Sequence, residues 1–412
     1  MSDTFCPLPW MHLGTHPHGG VTPCCISDMT AGKNRARNYT DHGDDFFNLN
    51  DHSINTHMNS DYFKQIRLEL LNGVEPKACN RCYEEERKGI KSKRQHESEV
   101  YKDFDASYAS RLTSEDGSMD MDLRFVELRL GNVCNVRCRT CNPASSSRWV
   151  SDYKKVVDSL EFVNDGYSWL DHKHDFQWPE DENFYQDLFD CAPNMEVLYI
   201  NGGEPTLIKA HWKYLEMLVE SGRSKNIILW YNINMTQIPD KAIPLWKEFK
   251  EARVCPSIDD FDHRNKYIRY PTEWSSVEQN LQKIMQVPEL TVRITQTVSA
   301  YSYAYLDDFI NWAPVPVDMN FVYDPEYLSP AIIPPVVRHE IHEKYRKTIG
   351  NNPHLGTLLS LYDNNDWDQT KWEHFCRYND ELDKIRQHDK GWREVFPEFV
   401  ELLEKYGIQH KY

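Results

Sequence analysis

The sequence predicts an α/β fold: a partial (β/α)6 barrel, preceded by an irregular cysteine-bearing region and followed by a helical extension. Three observations carry this. From Leu123 onward, six short runs rich in β-branched, leucine and aromatic residues alternate with longer runs of helical period. Before that point, turn residues dominate stretches such as "GTHPHGGVTP". Beyond Pro330 the pattern is helical alone, as in "PPVVRHEIHEKYRKTI" (334–349).

In chain order, residues 1–105 form the irregular region, with helices expected over 61–72 ("DYFKQIRLELLN") and after Cys82. The polar stretch "SEDGSMDMD" (114–122) predicts a linker, taken as 106–122. The barrel covers 123–325, and 326–412 make up the helical extension. Barrel strands are expected at "LRFVELRL" (123–130), "MEVLYING" (195–202), "NIILWYNIN" (226–234), "ARVCPSID" (252–259), "LTVRITQTVSA" (290–300) and "VDMNFVYD" (317–324). Helical patterns at 211–221, 243–249, 274–285 and 305–312 separate them. Sites in such sheets lie beyond the C-terminal ends of the strands, so the loops that follow each strand are where chemistry is expected.

Composition narrows the function. Apolar residues make up 40% of the 412, enough for a core, and no apolar run approaches a membrane span. The net charge of −17 repels phosphates, so nucleic acid is not expected as a partner. One basic run, Arg87–Arg94 ("RKGIKSKR"), reads as a solvated helix face rather than a nucleic-acid patch. "MSDTFCPLPW" has neither the basic nor the apolar segment of a signal peptide, so the expected location is cytoplasmic. In a reducing compartment, clustered cysteines bind metals or do redox chemistry more often than they form disulfides. There are eleven cysteines.

The densest cluster is "GNVCNVRCRTCNP" (131–143), directly after the first barrel strand. Its Cys134, Cys138 and Cys141 make C-x3-C-x2-C. Thiolates suit soft metals. A closed structural zinc site or iron–sulfur cluster takes four protein ligands, so three leave one metal atom open to a substrate or cosubstrate. The competing reading is a zinc site that borrows a distant ligand such as Cys191.

Three further stretches follow successive strands: "NGGEP" (201–205), "NINMT" (232–236) and "SIDDFDHRNKYIRYPTEW" (257–274) join the cysteines. Together they resemble the radical S-adenosylmethionine (SAM) superfamily, over residues 123 to about 324. The resemblance implies that Cys134, Cys138 and Cys141 hold a 4Fe–4S cluster whose fourth iron is chelated by SAM. It implies that Gly202, Gly203, Glu204 and Pro205 meet the SAM amino group, with Glu204 offering a carboxylate to an ammonium. Asn234 and Thr236 match a turn near the cosubstrate. Ser257 and Arg269 match positions for its ribose and carboxylate. Many relatives have an aromatic residue before the third cysteine, where this chain has Thr140.

The N-terminal cysteines, in "FCPLPWMHLGTHPHGGVTPCC" (5–25) and "ACNRCYEEERKGIKSKR" (78–94), resemble the auxiliary-cluster modules called twitch and SPASM. In most relatives the module follows the barrel, whereas here it precedes it. The resemblance implies that Cys6, Cys24, Cys79 and Cys82 close a second 4Fe–4S cluster, with Cys25 spare or in place of Cys24. Four cysteines with one CxxC also suit zinc. Cys191 and Cys376 read as packed thiols. Cys255 shares strand parity with Ser257, and Tyr231, Gln296 and Asn320 also lie on barrel strands.

The activity implied is reductive cleavage of SAM to a 5′-deoxyadenosyl radical that takes hydrogen from a substrate. An external one-electron reductant supplies the electron, and the auxiliary cluster carries an electron away. A peptide or protein side chain is the expected substrate. A small metabolite, such as a sugar or nucleoside, is the alternative, and a non-catalytic iron–sulfur redox protein is the third reading.

Overall fold

The computed structural model describes residues 4–27, 48–163, 176–348, 356 and 367–412. The chain divides into two compact units. The first comprises 1–133, 173–231 and 240–252, and the second comprises 134–172, 232–239 and 253–412.

The first unit is built on a sheet of five successive strands. These are β1 (His12–Thr15), β2 (Val21–Thr22), β3 (Phe125–Arg129), β4 (Val197–Asn201) and β5 (Ile228–Ile233). Their spatial order is β2-β1-β3-β4-β5. Only β1 and β2 run antiparallel, with Gly14 opposite Thr22. The others are parallel: His12 pairs with Phe125, Phe125 with Val197, and Val197 with Ile228. β3 is buried along nearly its whole length, as expected of a parallel strand covered on both faces. β4 and β5 alternate buried and half-buried residues. The helix Lys209–Glu220 presents Trp212, Leu215 and Leu218 to the interior at helical spacing.

The expected β3, β4 and β5 strands are all present, whereas β1 and β2 arise within a stretch that reads as turns. The linker stretch is also ordered. It carries the helix Ala106–Leu112, and Gly117 accepts a hydrogen bond from buried Arg67 (2.8 Å).

In the second unit the end of β6 (Glu251–Pro256) is followed by β7 (Leu290–Val292), β8 (Ile294–Val298) and β9 (Val317–Phe321). The Ser257 amide donates to Ile233 (2.8 Å), and Ser257 bridges Thr295 in parallel. The run 290–300 reads as one strand but is two. β7 continues the sheet beside β6, while β8 pairs with β9 in a separate parallel pair, Ile294 opposite Val317. Arg293 sits at the break and forks onto Asp318 (2.8 and 2.6 Å).

Helices at 150–159, 262–268, 274–285, 306–312, 335–348 and 369–386 cover this unit, and 392–395 and 397–405 close it. The expected helix at 334–349 spans Pro335–Thr348, and residue 349 lies outside the described residues. One large core joins Trp149, Tyr267, Tyr301, Trp372, Phe375 and Trp392. Among the described residues no helix is long and apolar enough to cross a membrane.

Candidate metal centres

Cys134 and Cys138 are buried, Cys141 is half-buried, and all three pack around Val136 in the second unit. The loop that carries them is tied on every side. Cys141 N–H donates to the Cys138 carbonyl (3.0 Å), which also accepts from Trp149 Nε1 (2.7 Å). Arg137 N–H donates to Tyr270 (2.6 Å) and Arg139 N–H to Ile268 (2.8 Å), so the loop runs alongside 268–270. Ser146 Oγ donates to the Val136 carbonyl (2.5 Å). A hydrogen bond between the Cys138 and Cys141 sulfurs lowers the Cys138 pKa and raises that of Cys141 well above a thiol's usual value. Burial adds to the rise at Cys141.

The loop is joined to the turn after β5. Asn234 Nδ2 donates to Asn135 Oδ1 (2.7 Å), and Asn135 Nδ2 donates to Thr236 Oγ1 (2.7 Å). Asn234 Oδ1 accepts from both the amide and hydroxyl of Thr236 (3.0 and 2.7 Å). Asn135, within the cysteine motif, is the partner that pattern reading alone does not reveal.

A buried polar group lies beside Cys138. Asp259 is fully buried, and its Oδ1 accepts from Arg269 Nη2 and from the Thr297 amide (both 2.8 Å). Gln296 Nε2 donates to the Asp259 carbonyl (2.9 Å). Arg269 Nη1 stands 4.0 Å from the Cys138 sulfur. Arg269, expected at a cosubstrate carboxylate, therefore already holds a protein carboxylate. Three buried atoms of this group, Arg269 Nε, Asp259 Oδ2 and Gln296 Oε1, have no hydrogen-bond partner among the described residues. Buried polar atoms are almost always satisfied, so such a set marks a place for a polar ligand or water. Ser257 is half-buried and lies two residues before Asp259, which falls in the bend after β6.

In the first unit, Gly202 and Gly203 have φ of +78° and +47°. A Cβ on Gly203 would lie 2.5 Å from the Val133 carbonyl oxygen, and one on Gly202 would lie 2.8 Å from Arg129 Cα. The Glu204 amide donates to Val133 (2.7 Å), the residue directly before Cys134 in the chain. Glu204 is buried, and its Oε1 accepts from the amide and hydroxyl of Thr206 (3.2 and 2.6 Å). It caps the short helix Pro205–Leu207, with Pro205 in the first turn. Tyr231 is fully buried in this unit against Trp246 (ring centroids 5.4 Å).

The N-terminal cysteines also gather. Cys6, Cys24 and Cys79 pack in one apolar cluster with Phe5, Trp10 and Ile66. Cys82 is buried close enough to Cys6 and Cys79 to raise their pKa values. Of the adjacent pair, Cys24 neighbours Cys79 and Cys6, whereas Cys25 is exposed and its charged neighbours are Glu127, Lys93 and Arg129. Burial pushes the Cys79 thiol up to about 12 and the Cys6 and Cys24 thiols well above their usual value. Such thiols lose their protons when a metal takes them.

Both donor sets are sulfur alone, which suits iron–sulfur chemistry. Among the described residues no three His, Cys, Asp or Glu side chains converge as they would on a single ion. Ligands of a cluster each bind a different iron and stand wider apart. Cys191 hydrogen-bonds Asp187 (3.5 Å) in the first unit, and Cys376 is packed in the core of the second. Three cations of the basic run pair with acids outside it: Arg87 with Glu75, Lys93 with Glu97 (2.9 Å) and Arg94 with Glu86 (2.5 Å).

Residues 6–83 match the SPASM family, an iron–sulfur cluster-binding domain. No curated protein matches the chain. Among solved structures, native anSMEcpe with bound AdoMet and Cp18Cys peptide is similar at 17% identity, over 45% of each chain, with a TM-score of 0.29. The chain thus spans under half the length of that protein. SuiB of Streptococcus suis is 13% identical over 77% of this chain and 71% of its own, with a TM-score of 0.36. TYW1 with a lysine-pyruvate adduct bound is 14% identical over 54% of this chain and 72% of its own, with a TM-score of 0.30.

Proposed function

We propose that this chain is a radical SAM enzyme with an N-terminal SPASM module, acting on a peptide or protein side chain. The observation that carries the reading is the buried three-cysteine loop, pinned through its backbone, with an unsatisfied polar group beside Cys138. Cys134, Cys138 and Cys141 would hold a 4Fe–4S cluster, and three sulfur ligands leave one iron for SAM. Together the cluster and SAM supply a 5′-deoxyadenosyl radical that removes hydrogen from the substrate.

The chain's own residues do the rest. Arg269 Nε, Asp259 Oδ2 and Gln296 Oε1 offer one donor and two acceptors to a polar ligand. Asp259 keeps Arg269 charged and aimed. Asn234 and Thr236 hold the cysteine loop through Asn135 and so fix where the ligand's metal would sit. Gly202 and Gly203 let the backbone approach Val133 closely, while Glu204 stiffens the turn. Ser257 is the remaining ribose candidate. Cys6, Cys24, Cys79 and Cys82 would bind the second cluster, a reading the SPASM match supports. None of the eleven cysteines is joined in a disulfide, which suits cluster ligation in a reducing cytoplasm. The peptide assignment rests on the SPASM module and on the net charge of −17, which favours neutral or basic substrates.

The test is anaerobic purification, iron and sulfide analysis, then addition of dithionite and SAM. The expected result is about eight irons per chain, as two cubane clusters require, and formation of 5′-deoxyadenosine. C138A should form none, and normal cleavage by that variant would sink the reading. Substrate class is read by deuterium: a deuterated peptide mixture should pass label into 5′-deoxyadenosine, and deuterated sugars or nucleosides should not.

A further inference from the structure

The cysteine loop has partners that lie far along the chain. The residues flanking Cys138 both meet the helix Gln369–Arg386, Arg137 through its carbonyl and Arg139 through its guanidinium, all within the second unit. Arg139 is fully buried. Its Nη1 donates to Asn379 Oδ1 (2.9 Å), its Nη2 pairs with Asp383, and its Nε donates to the Tyr267 carbonyl (3.2 Å). Asp383 also accepts from Tyr267 OH (2.8 Å) and from the Trp392 amide (3.0 Å). One turn on, Arg386 donates from Nη2 to the Arg137 carbonyl (2.8 Å) and from Nε to Asp152 Oδ2 (2.8 Å). Asp152 Oδ1 takes Arg137 Nη1 (2.7 Å), so one buried carboxylate joins the loop to the helix. The Arg386 guanidinium lies 4.5 Å from the Trp149 ring centroid, and Trp149 is the residue whose indole holds the Cys138 carbonyl.

These bonds account for the backbone around Cys138. The Arg137 carbonyl is taken by Arg386, the Cys138 carbonyl by Trp149 and Cys141, and the Arg139 carbonyl by Tyr378 (3.4 Å). Two of those three carbonyls are therefore held by the C-terminal helix. We infer that Asp383 and Arg386 are positioning residues for the three-cysteine cluster, so that the helix Gln369–Arg386 is part of that metal centre rather than an appended cover. The inference rests on the reading that Cys134, Cys138 and Cys141 bind a cluster.

The buried partners of metal ligands typically change metal affinity or activity about tenfold to a hundredfold. The experiment uses the full chain as R386K, R386Q and D383N, purified without oxygen. R386Q and D383N should lose iron from the triplet and slow SAM cleavage about tenfold or more. The residual reduced cluster should give an electron paramagnetic resonance spectrum altered from wild type. R386K keeps the charge but loses the fork that reaches Asp152 and the Arg137 carbonyl together, so it should not restore the spectrum.

Iron retained by a C138A background reports the N-terminal cluster in each variant. It should stay at the parental level, which shows that the fold has survived. If R386Q and D383N keep parental triplet iron, spectrum and cleavage rate, the inference is overturned. If N-terminal iron is lost in parallel, the effect is global instability and the inference is likewise overturned. If wild type and C138A hold equal iron, it is the cluster reading itself that has failed, which is a distinct result.

Discussion

Gly203 holds a φ of +47° with the Val133 carbonyl oxygen 2.5 Å from where a side chain would begin. G203A must therefore accept both a left-handed alanine, costing about 1–3 kcal/mol, and displacement of the backbone that leads into Cys134. Gly222 offers the control, since its φ of +76° is similar but nothing lies within 4 Å of its added Cβ. G222A should lower the urea midpoint through conformation alone, and G203A should lower it further and also slow SAM cleavage. Equal midpoints would show that Val133 yields freely.

Two buried histidines of the first unit set a pH limit. Burial lowers His57 and His211 to about 3, against a usual value near 6.5. Between those values the unfolded chain is protonated at both and the folded chain at neither, so stability falls as pH drops from about 6.5 towards 3. Each contributes up to about 1.4 kcal/mol per pH unit. H57Q and H211Q should flatten the dependence measured by chemical denaturation. At this scale the cysteines and the glycine pair were legible because their chemistry is tied to residue type. Asn135, Asp259 and Asp383 were not, because an amide or carboxylate is common anywhere and only its partners in the fold single it out.

The helix Asp61–Leu71 meets its unit through the apolar Ile66 and Leu70 and through one buried charged side chain. Arg67 is fully buried and donates to Gly117 (2.8 Å), Pro9 (3.1 Å), Met58 (2.7 Å) and Asn59 Oδ1 (3.2 Å). R67M keeps most of the volume but leaves three buried carbonyls unsatisfied, at about 1–3 kcal/mol each. The expected outcome is a large loss of first-unit stability and of iron held by the N-terminal cysteines, followed by melting and iron analysis. Unchanged iron would mean that the apolar cluster around Cys6 suffices. Elements of this length announce themselves by period, and β3, β4 and β5 fall where the pattern puts them. β1 and β2 do not, because four and two residues set among glycine and proline carry no period. Their strand character comes from the pairing of Leu13 with Val126, a partner far along the chain. The break at Arg293 was hidden for a related reason, since β7 and β8 share one composition and differ only in what they pair with.

Across the molecule, two groups of cysteines occupy two units, so their losses should separate. C79A should lower total iron from about eight to about four per chain, as one cubane requires, while unproductive cleavage of SAM continues. Parallel loss of iron and cleavage would make the N-terminal site structural. The two groups of cysteines were legible from their spacing. The dependence of the triplet on the last helices was not, because no local pattern links residues 240 positions apart, as Arg139 and Asn379 are.

That separation has a consequence for how the protein is made. On the ribosome, chains grow at roughly 5–20 residues per second, so some 12–48 s pass between the appearance of Arg139 and that of Asn379. Through that interval the triplet is a tethered loop of nucleophilic thiols without its lock, open to oxygen and to stray metals. Completion of the proposed centre therefore waits on the emergence of the helix Gln369–Arg386, and iron delivered earlier would meet a loop without that support.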